Sequence, residues 1–368
     1  MKINGMNGDT TKRINRQQVL RLLSTEPGIS RTEIASRMGL VKMTVSNIIS
    51  EMLHSGMIEE TRSTGTEKIG AGRRLTGLCF SDQVPLIAGL WLNGRQLFAG
   101  IFSMELKLLS RVVCKIDAGN IVDQLASTVT ALTEPLHRQL LGIGLALGAG
   151  WDSSLKILLA ERLRIPVFSA SNVAADAATV ARFTSYENYF CLSVTPTGPA
   201  PTADAGVRGG IVVHHVLLGG SDGCTPLGQM TRNGSRLADM VSVPAICRHI
   251  NETLGSECRT LADVQIACLE NSTGNAALCD AFGPLMEMVS NICLATRPEA
   301  LIIDASLAGF GEDLREYFFS RLHIRLGDSA PIITSARFGM DTTMYGAACL
   351  VLEEVFSGTL GYDLFFKE

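Results

Sequence analysis

Ser30-Arg31-Thr32-Glu33-Ile34-Ala35-Ser36-Arg37-Met38-Gly39, followed by Leu40-Val41-Lys42-Met43-Thr44-Val45-Ser46-Asn47, decides how this chain is read. Ser30 and Glu33 have the spacing of a capping box, in which each side chain takes the other's free backbone N–H at a helix start. Ile34, Ala35 and Met38 give that short helix its apolar side, and Gly39 ends it in a tight turn. A further helix is predicted from Lys42 to His54, with Val45, Ile48, Ile49, Met52 and Leu53 on one face and Gly56 closing it. Helix, short glycine turn, helix is the arrangement whose second member enters the DNA major groove. The same pair is also compatible with a small helical domain that merely packs on something.

Working outward, Asn15 and Gln18 predict the start of an earlier helix striped by Val19, Leu20, Leu22 and Leu23 and stopped by Pro27-Gly28. Downstream, Met57–Thr61 reads as a strand, 62–72 as a turn region and Arg73–Phe80 as the return strand, a β-wing. The helical step places Met43, Asn47 and Ser50 opposite the core stripe, flanked by Thr44 and Ser46. The expected DNA contacts are therefore Arg31, Lys42, Met43, Thr44, Ser46 and Asn47, with Arg62, Lys68, Arg73 and Arg74 from the wing. One local rule is broken: Val41 stands where Ser, Thr or Asp would cap the recognition helix.

Charge agrees with this placement. Residues 1–80 hold twelve Lys or Arg against seven acids, so the first part is +5 while the total is -4. A basic head on an acidic body is the asymmetry expected when one end meets a polyanion. The chain has 368 residues, 46% apolar and 18% charged, which excludes a disordered protein and allows two or three compact units. No uncharged apolar run is long enough for a membrane span, and the polar, basic first residues do not form a secretory signal. The ten cysteines form no CxxC pair, consistent with packing thiols in a reducing cytoplasm.

From Val84 the texture becomes α/β. Strands are predicted at Leu86–Leu92, Leu97–Phe102, Leu106–Lys115, Leu140–Leu147, Pro166–Ser169, Tyr189–Val194, Gly209–Leu218 and Ala300–Asp304. Helices are predicted at Ile121 to about Gln139 with a kink near Pro135, at Ser153–Leu163, at Val173–Phe183, through much of 237–296 and at Met344–Phe356. His214 and His215 fall in a strand on alternating faces, and Trp91 and Trp151 are expected in the core.

The order of these motifs resembles the ROK proteins (repressors, open reading frames and kinases), in particular their transcriptional-repressor branch. In the head, Asn15-Arg16, Ser30–Ala35, Gly39-Leu40, Thr44-Val45-Ser46 and Gly72-Arg73-Arg74 carry the likeness. In the body it rests on Gly142-Ile143-Gly144, Ile165-Pro166-Val167, Gly206-Val207, Gly209-Gly210-Ile211, Gly228, Arg297-Pro298-Glu299 and Gly346-Ala347-Ala348. The implied fold is α/β: an N-terminal winged helix-turn-helix and a two-lobed actin-like, sugar-kinase-like (ribonuclease H-like) body. The corresponding boundaries are 1–80 for the DNA-binding domain, 81–185 for the first lobe and 186–368 for the second, whose last helix returns to the first.

Departures from the family's kinases are as informative. Trp91 replaces the carboxylate of the first phosphate loop, Asp204 and Arg208 flank the second, and Asp304-Ala305 replaces the adenosine-side glycine pair. Ser171-Asn172-Val173-Ala174 matches Glu-Asn-Asp-Ala, so the residue at the family's general base is valine. Gln229 replaces a zinc histidine, and Asn233–Ala238 replaces the cysteine-rich zinc loop. The family's pocket-floor segment is missing between Gly150 and Ser153.

The resemblance thus implies a cytoplasmic repressor controlling carbohydrate genes, with no catalysis, cofactor or metal and no membrane partner. Its partners are double-stranded operator DNA, a second copy in a homodimer or higher homo-oligomer, and a sugar or sugar-phosphate effector. Asn172 and Gln229 are the matched amides left for such an effector, although both also suit backbone hydrogen bonding at a strand end. Arg208 and Arg232 would favour an anionic one if they face the cleft. A body serving only as scaffold, or answering to a protein partner, is the alternative, and a residual sugar kinase the remote one.

Overall fold

Residues 8–62, 76–220 and 223–366 are described by the computed structural model. The head contains α1 (Gly8–Thr25), β1 (Ile29–Ser30), α2 (Arg31–Met38), α3 (Lys42–His54), β2 (Ile58–Arg62) and β3 (Thr76–Phe80). The capping box forms as its spacing requires: Glu33 N–H donates to Ser30 Oγ at 3.2 Å and Ser30 N–H to Glu33 Oε2 at 2.8 Å. Gly39 supplies the left-handed cap at φ 62°. α3 has the predicted bounds and buries Val45, Ile48, Ile49 and Met52. β2 and β3 pair antiparallel as the wing, whose tip lies outside the described residues, and β1 adds a third strand beside β3.

α1 begins at Gly8, so Asn15 lies within the helix rather than capping it. The early turns are held from outside. Lys12 pairs with Glu51 at 3.2 Å, and Arg13 Nη2 donates to the Gly358 carbonyl at 3.1 Å.

The first lobe comprises β4 (Leu86–Asn93), β5 (Gln96–Phe102), β6 (Leu108–Lys115), α4 (Ile121–Thr133), β7 (Leu140–Leu147), α5 (Leu155–Leu163), β8 (Val167–Ser171) and α6 (Asn172–Phe183). Its sheet runs β6-β5-β4-β7-β8, with β4, β7 and β8 parallel. Every residue of β4 is buried, because alternate side chains enter two cores. Leu86, Ala88, Leu90 and Leu92 pack with α4 and α5, whereas Ile87 and Trp91 join the opposite core. α4 stops at Thr133, and Pro135 sits in a short 3-10 turn instead of kinking a longer helix.

The second lobe is built on β9 (Tyr189–Val194), β10 (Val207–Val213), β11 (Val216–Leu218), β14 (Ala300–Ile303) and β15 (Ile332–Ser335), ordered β11-β10-β9-β14-β15. Between them lie the small ribbon β12 (Thr231–Arg232) and β13 (Ser235–Arg236), and α7 (Ala238–Val241), α8 (Val243–Leu254), α9 (Leu261–Glu270), α10 (Gly274–Thr296), α11 (Ala305–Ala308) and α12 (Gly311–Leu326). The strand expected over 209–218 is a hairpin. His214 and His215, at φ 48° and 63°, form its turn and do not alternate within a strand. α12 and β15 form without having been expected from the sequence. α10 is the one described helix long and apolar enough to cross a bilayer, but one face packs in this lobe's core and Asp280 and Glu287 interrupt it.

α13 (Thr342–Phe356) then crosses back onto the first sheet and α14 (Tyr362–Phe365) follows. Two glycines permit that crossing. A Cβ on Gly144 would stand 1.7 Å from the Ala347 carbonyl, and one on Gly346 would stand 1.8 Å from that of Ala175. α13 therefore rests against β7 and α6 at backbone distance.

Candidate DNA-binding face and interlobe cleft

On α3 the side away from the core is open: Lys42, Met43, Thr44 and Asn47 are exposed, and Ser46 is half-buried. Val41 has the extended backbone of an N-cap but makes no side-chain cap bond. No acid stands in the first turn of α3, and Lys42 makes no ion pair among the described residues. Arg31 differs from expectation. Its Nη2 lies 2.9 Å from Glu60 Oε1 on β2, so the fold already uses the guanidinium offered to phosphate. Arg62 ends β2, and Lys68, Arg73 and Arg74 lie outside the described residues.

The opposite side of the head is fused to the body. Arg16 is buried: its Nε donates to Glu51 Oε2 at 2.9 Å, its Nη1 donates to the Tyr362 hydroxyl at 3.0 Å, and its Cζ stands 4.6 Å from the Phe366 ring centre. Gln17 Nε2 donates to the Ser357 carbonyl at 2.6 Å, and Phe80 meets Phe365 edge-on. Leu20, Leu23 and Ile49 of the head share one apolar core with Val355, Phe356 and Phe366. The head is thus packed directly on the body through α1 and the last two helices.

In the cleft between the sheets, Ser171 caps α6 through Ala174 N–H at 3.2 Å. Asn172 is buried; its Nδ2 donates to Ser193 Oγ at 2.9 Å, while its Oδ1 has no partner among the described residues. Trp91 Nε1, Asn93 Oδ1 and Thr195 Oγ1 are likewise buried and unpartnered. Trp91 and Thr195 border a cavity of about 10 Å³ with Asp176, Ser193, Asp304 and Thr343. That volume holds about one water.

Both carboxyls there are shifted upward. Burial pushes Asp176 up to about 7, against the hydrogen bond it accepts from Thr343 Oγ1 at 2.6 Å. Burial likewise pushes Asp304 to about 6, although it accepts Leu307 and Val194 N–H groups at 2.8 Å each.

The second phosphate-type loop is occupied by its own side chains. Asp204 accepts from Thr202 Oγ1 at 2.6 Å, Gly206 N–H at 3.3 Å and Arg208 Nε at 2.7 Å. Arg208 is thereby neutralised within the loop. Arg232 is matched to Glu287 at 2.6 Å and lines a separate 270 Å³ pocket with Tyr317 and Arg321. Gln229 is exposed on a 3-10 turn and does not border the cleft cavity. The four expected effector residues are thus not brought together, and neither arginine is free to draw an anion into the cleft.

Sequence reasoning missed Asp176, Thr195 and Thr343, which no motif marks. It assigned Trp91 to the core without its unpaired N–H. Val173, at the matched base position, is fully buried. No three His, Cys, Asp or Glu side chains converge among the described residues.

Comparison with known proteins follows this division. The MarR family pattern matches residues 14–68. The xylose repressor of Bacillus subtilis (strain 168) is 21% identical over 381 residues, covering 93% of this chain and 96% of that protein. A solved ROK family transcriptional regulator, described as a homolog of the E. coli MLC protein, superposes with TM-score 0.76 at 18% identity, covering 96% of this chain and 99% of that one. The ROK hexokinase from Thermus thermophilus gives TM-score 0.61 at 19% identity over 74% of this chain and 100% of its own. This chain joins a MarR-type winged helix to a sugar-kinase-like body and has, over nearly its whole length, the fold of a ROK transcriptional regulator.

Proposed function

We propose that the protein is a sequence-specific DNA-binding repressor of sugar-related genes, working in the cytoplasm. The observation that carries this reading is the uncapped, acid-free N-terminal turn of α3, which exposes Lys42, Met43, Thr44 and Asn47 beside a wing. The resemblance to a xylose repressor supports the sugar connection. Two copies related by a two-fold axis would read a palindromic site. Domain limits of 1–80, 81–185 and 186–368 fit the change from head sheet to the two body sheets.

The body acts in dimerisation and sensing, not phosphoryl transfer. Valine at position 173 accepts no proton, and the Asp204–Arg208 pair fills the loop where phosphate would meet amides. Selection from a random duplex library should recover a palindrome, and a coupled assay with hexoses, ATP and magnesium should give no turnover. Binding without sequence preference, or turnover above a mock preparation, would overturn this reading.

Unpaired atoms at Trp91, Thr195 and Asn172 suit hydroxyl groups, so the effector is a small neutral polyol admitted when the lobes open. The Asn172→Ala variant should bind it at least tenfold more weakly. The nearly filled cavity favours the second reading, a scaffold without ligand; failure of every neutral sugar to release operator DNA would select it.

A further inference from the structure

α1, α6 and α13 enclose a pocket of about 280 Å³ where the head meets the body. Its walls hold two guanidiniums and one carboxylate, and the carboxylate pairs with only one of them. Arg21 of α1 takes both oxygens of Glu353, Nη1 to Oε1 at 3.0 Å and Nη2 to Oε2 at 2.6 Å. Arg182 of α6 is half-buried with no carboxylate in ion-pair range among the described residues. Its hydrogen bond is to a neutral group, from Nη2 to Ser24 Oγ at 2.7 Å.

The Cζ atoms of Arg21 and Arg182 lie 5.0 and 6.0 Å from the same Phe356 ring centre. Burial holds the Arg182 pKa below its ordinary value against the opposing influence of Cys349 and Glu353, with a smaller contribution from the charge of Arg21. A half-buried cation with no carboxylate at ion-pair distance is costly, and here it borders open volume.

We propose that this pocket at the head–body joint binds a small phosphate-bearing anion between Arg182 and Arg21. Tetrahedral phosphate oxygens match two guanidinium forks, whereas a single carboxylate satisfies one. Glu353 is exposed enough to swing into solvent and free Arg21 when a dianion replaces it. Ala178, Ala181 and Leu352 leave apolar room for a body of a few carbons, and the volume is at the small end for ligand sites. The anion would touch one helix of the head and two of the body, and so favour one docking of α3. α6 runs from this pocket to Asn172, so the site is separate from the cleft and does not rest on its assignment.

The test is titration of the full-length chain with inorganic phosphate at constant ionic strength, followed by melting temperature and calorimetry. Saturable binding is expected, lost in Arg182→Ala, at least tenfold weaker in Arg182→Lys, and unchanged in Arg321→Ala. It should survive Asn172→Ala, which keeps this outcome distinct from that of the cleft. A hexose phosphate should compete, while the free hexose should not. No saturable binding to the wild type, or equal binding to Arg182→Ala, would overturn the proposal. Should Arg182→Ala fail to fold, the side-chain nitrogen resonance of Arg182, assigned through the lysine variant, must move with phosphate. A stationary resonance overturns it equally.

Discussion

The head presents two faces of contrary chemistry. Toward the open side, α3 shows short polar side chains and a lysine with no ion pair among the described residues. Toward the body, α1 shows Arg13, Arg16 and Arg21, each engaged by 353–362 or by Glu51. The excess of +5 over residues 1–80 is therefore not a measure of charge available to DNA. Lys12, Arg16, Arg21, Arg31 and Arg37 all form ion pairs within the chain. Net charge announces a partner; position decides which partner.

The largest effect should come from the open face. Thr44→Ala with Asn47→Ala should abolish preference for operator over scrambled duplex, at about 1–3 kcal/mol for each base-reading side chain. Arg73→Ala with Arg74→Ala should instead weaken binding to every sequence and reduce the salt slope by about 2. Competition binding at several salt concentrations separates these outcomes. Arg21→Ala should leave the slope unchanged, and a reduced slope there would break the distinction between the faces.

The body-facing side should answer in stability. Arg16→Ala removes charge-assisted bonds to Glu51 and Tyr362, together with its contact on Phe366, for a loss of about 2–3 kcal/mol. Urea denaturation of the full chain measures it. An unchanged midpoint would mean that the head docks without this contact.

What the sequence made legible follows the range of the interactions. α2 and α3 are set by a capping box, a glycine and an apolar stripe within a few residues, and their limits agree with prediction. The early part of α1 has no such local signal, since Arg13 and Gln17 find their partners 345 and 340 residues later, at Gly358 and Ser357. Arg232 looked available because Glu287 is 55 positions away, and Arg208 because the inward turn of Asp204 is a property of the folded loop. At His214-His215, alternation hid two left-handed residues that make a hairpin. Motif matching found the cleft through Asn172, but the carboxyls buried there come from elements that meet only in three dimensions.

Those carboxyls give a smaller effect, and set the unsatisfied cleft against the contacts of Arg16 at the joint. Asp176 at about 7 and Asp304 at about 6 are raised above their ordinary 3.8, with burial the main cause. The folded chain then keeps protons that the unfolded chain has released. This contribution is fully present below about pH 4 and is lost as pH rises through 6 and 7. Asp176→Asn, which still accepts from Thr343, should flatten the fall in melting temperature between about pH 5 and pH 8. Parallel profiles for variant and wild type would show that the cleft carboxyl does not titrate in this range.

The smallest expected change lies on the open face and tests what it gives up for function. Val41 holds the N-cap backbone of α3 at φ −65°, ψ 135° without capping it, and is 73% exposed. Val41→Ser forfeits little buried area and supplies an oxygen for the free N–H groups of the first turn. Stability should rise by about 0.5–1 kcal/mol. The same N–H groups sit at the positive end of the helix, where they can bind a DNA phosphate. A serine oxygen that occupies one of them competes with that phosphate. Operator affinity should therefore fall a fewfold while the chain becomes more stable, as read by parallel melting and operator-binding measurements. A gain in both would show that the missing cap has no part in DNA binding.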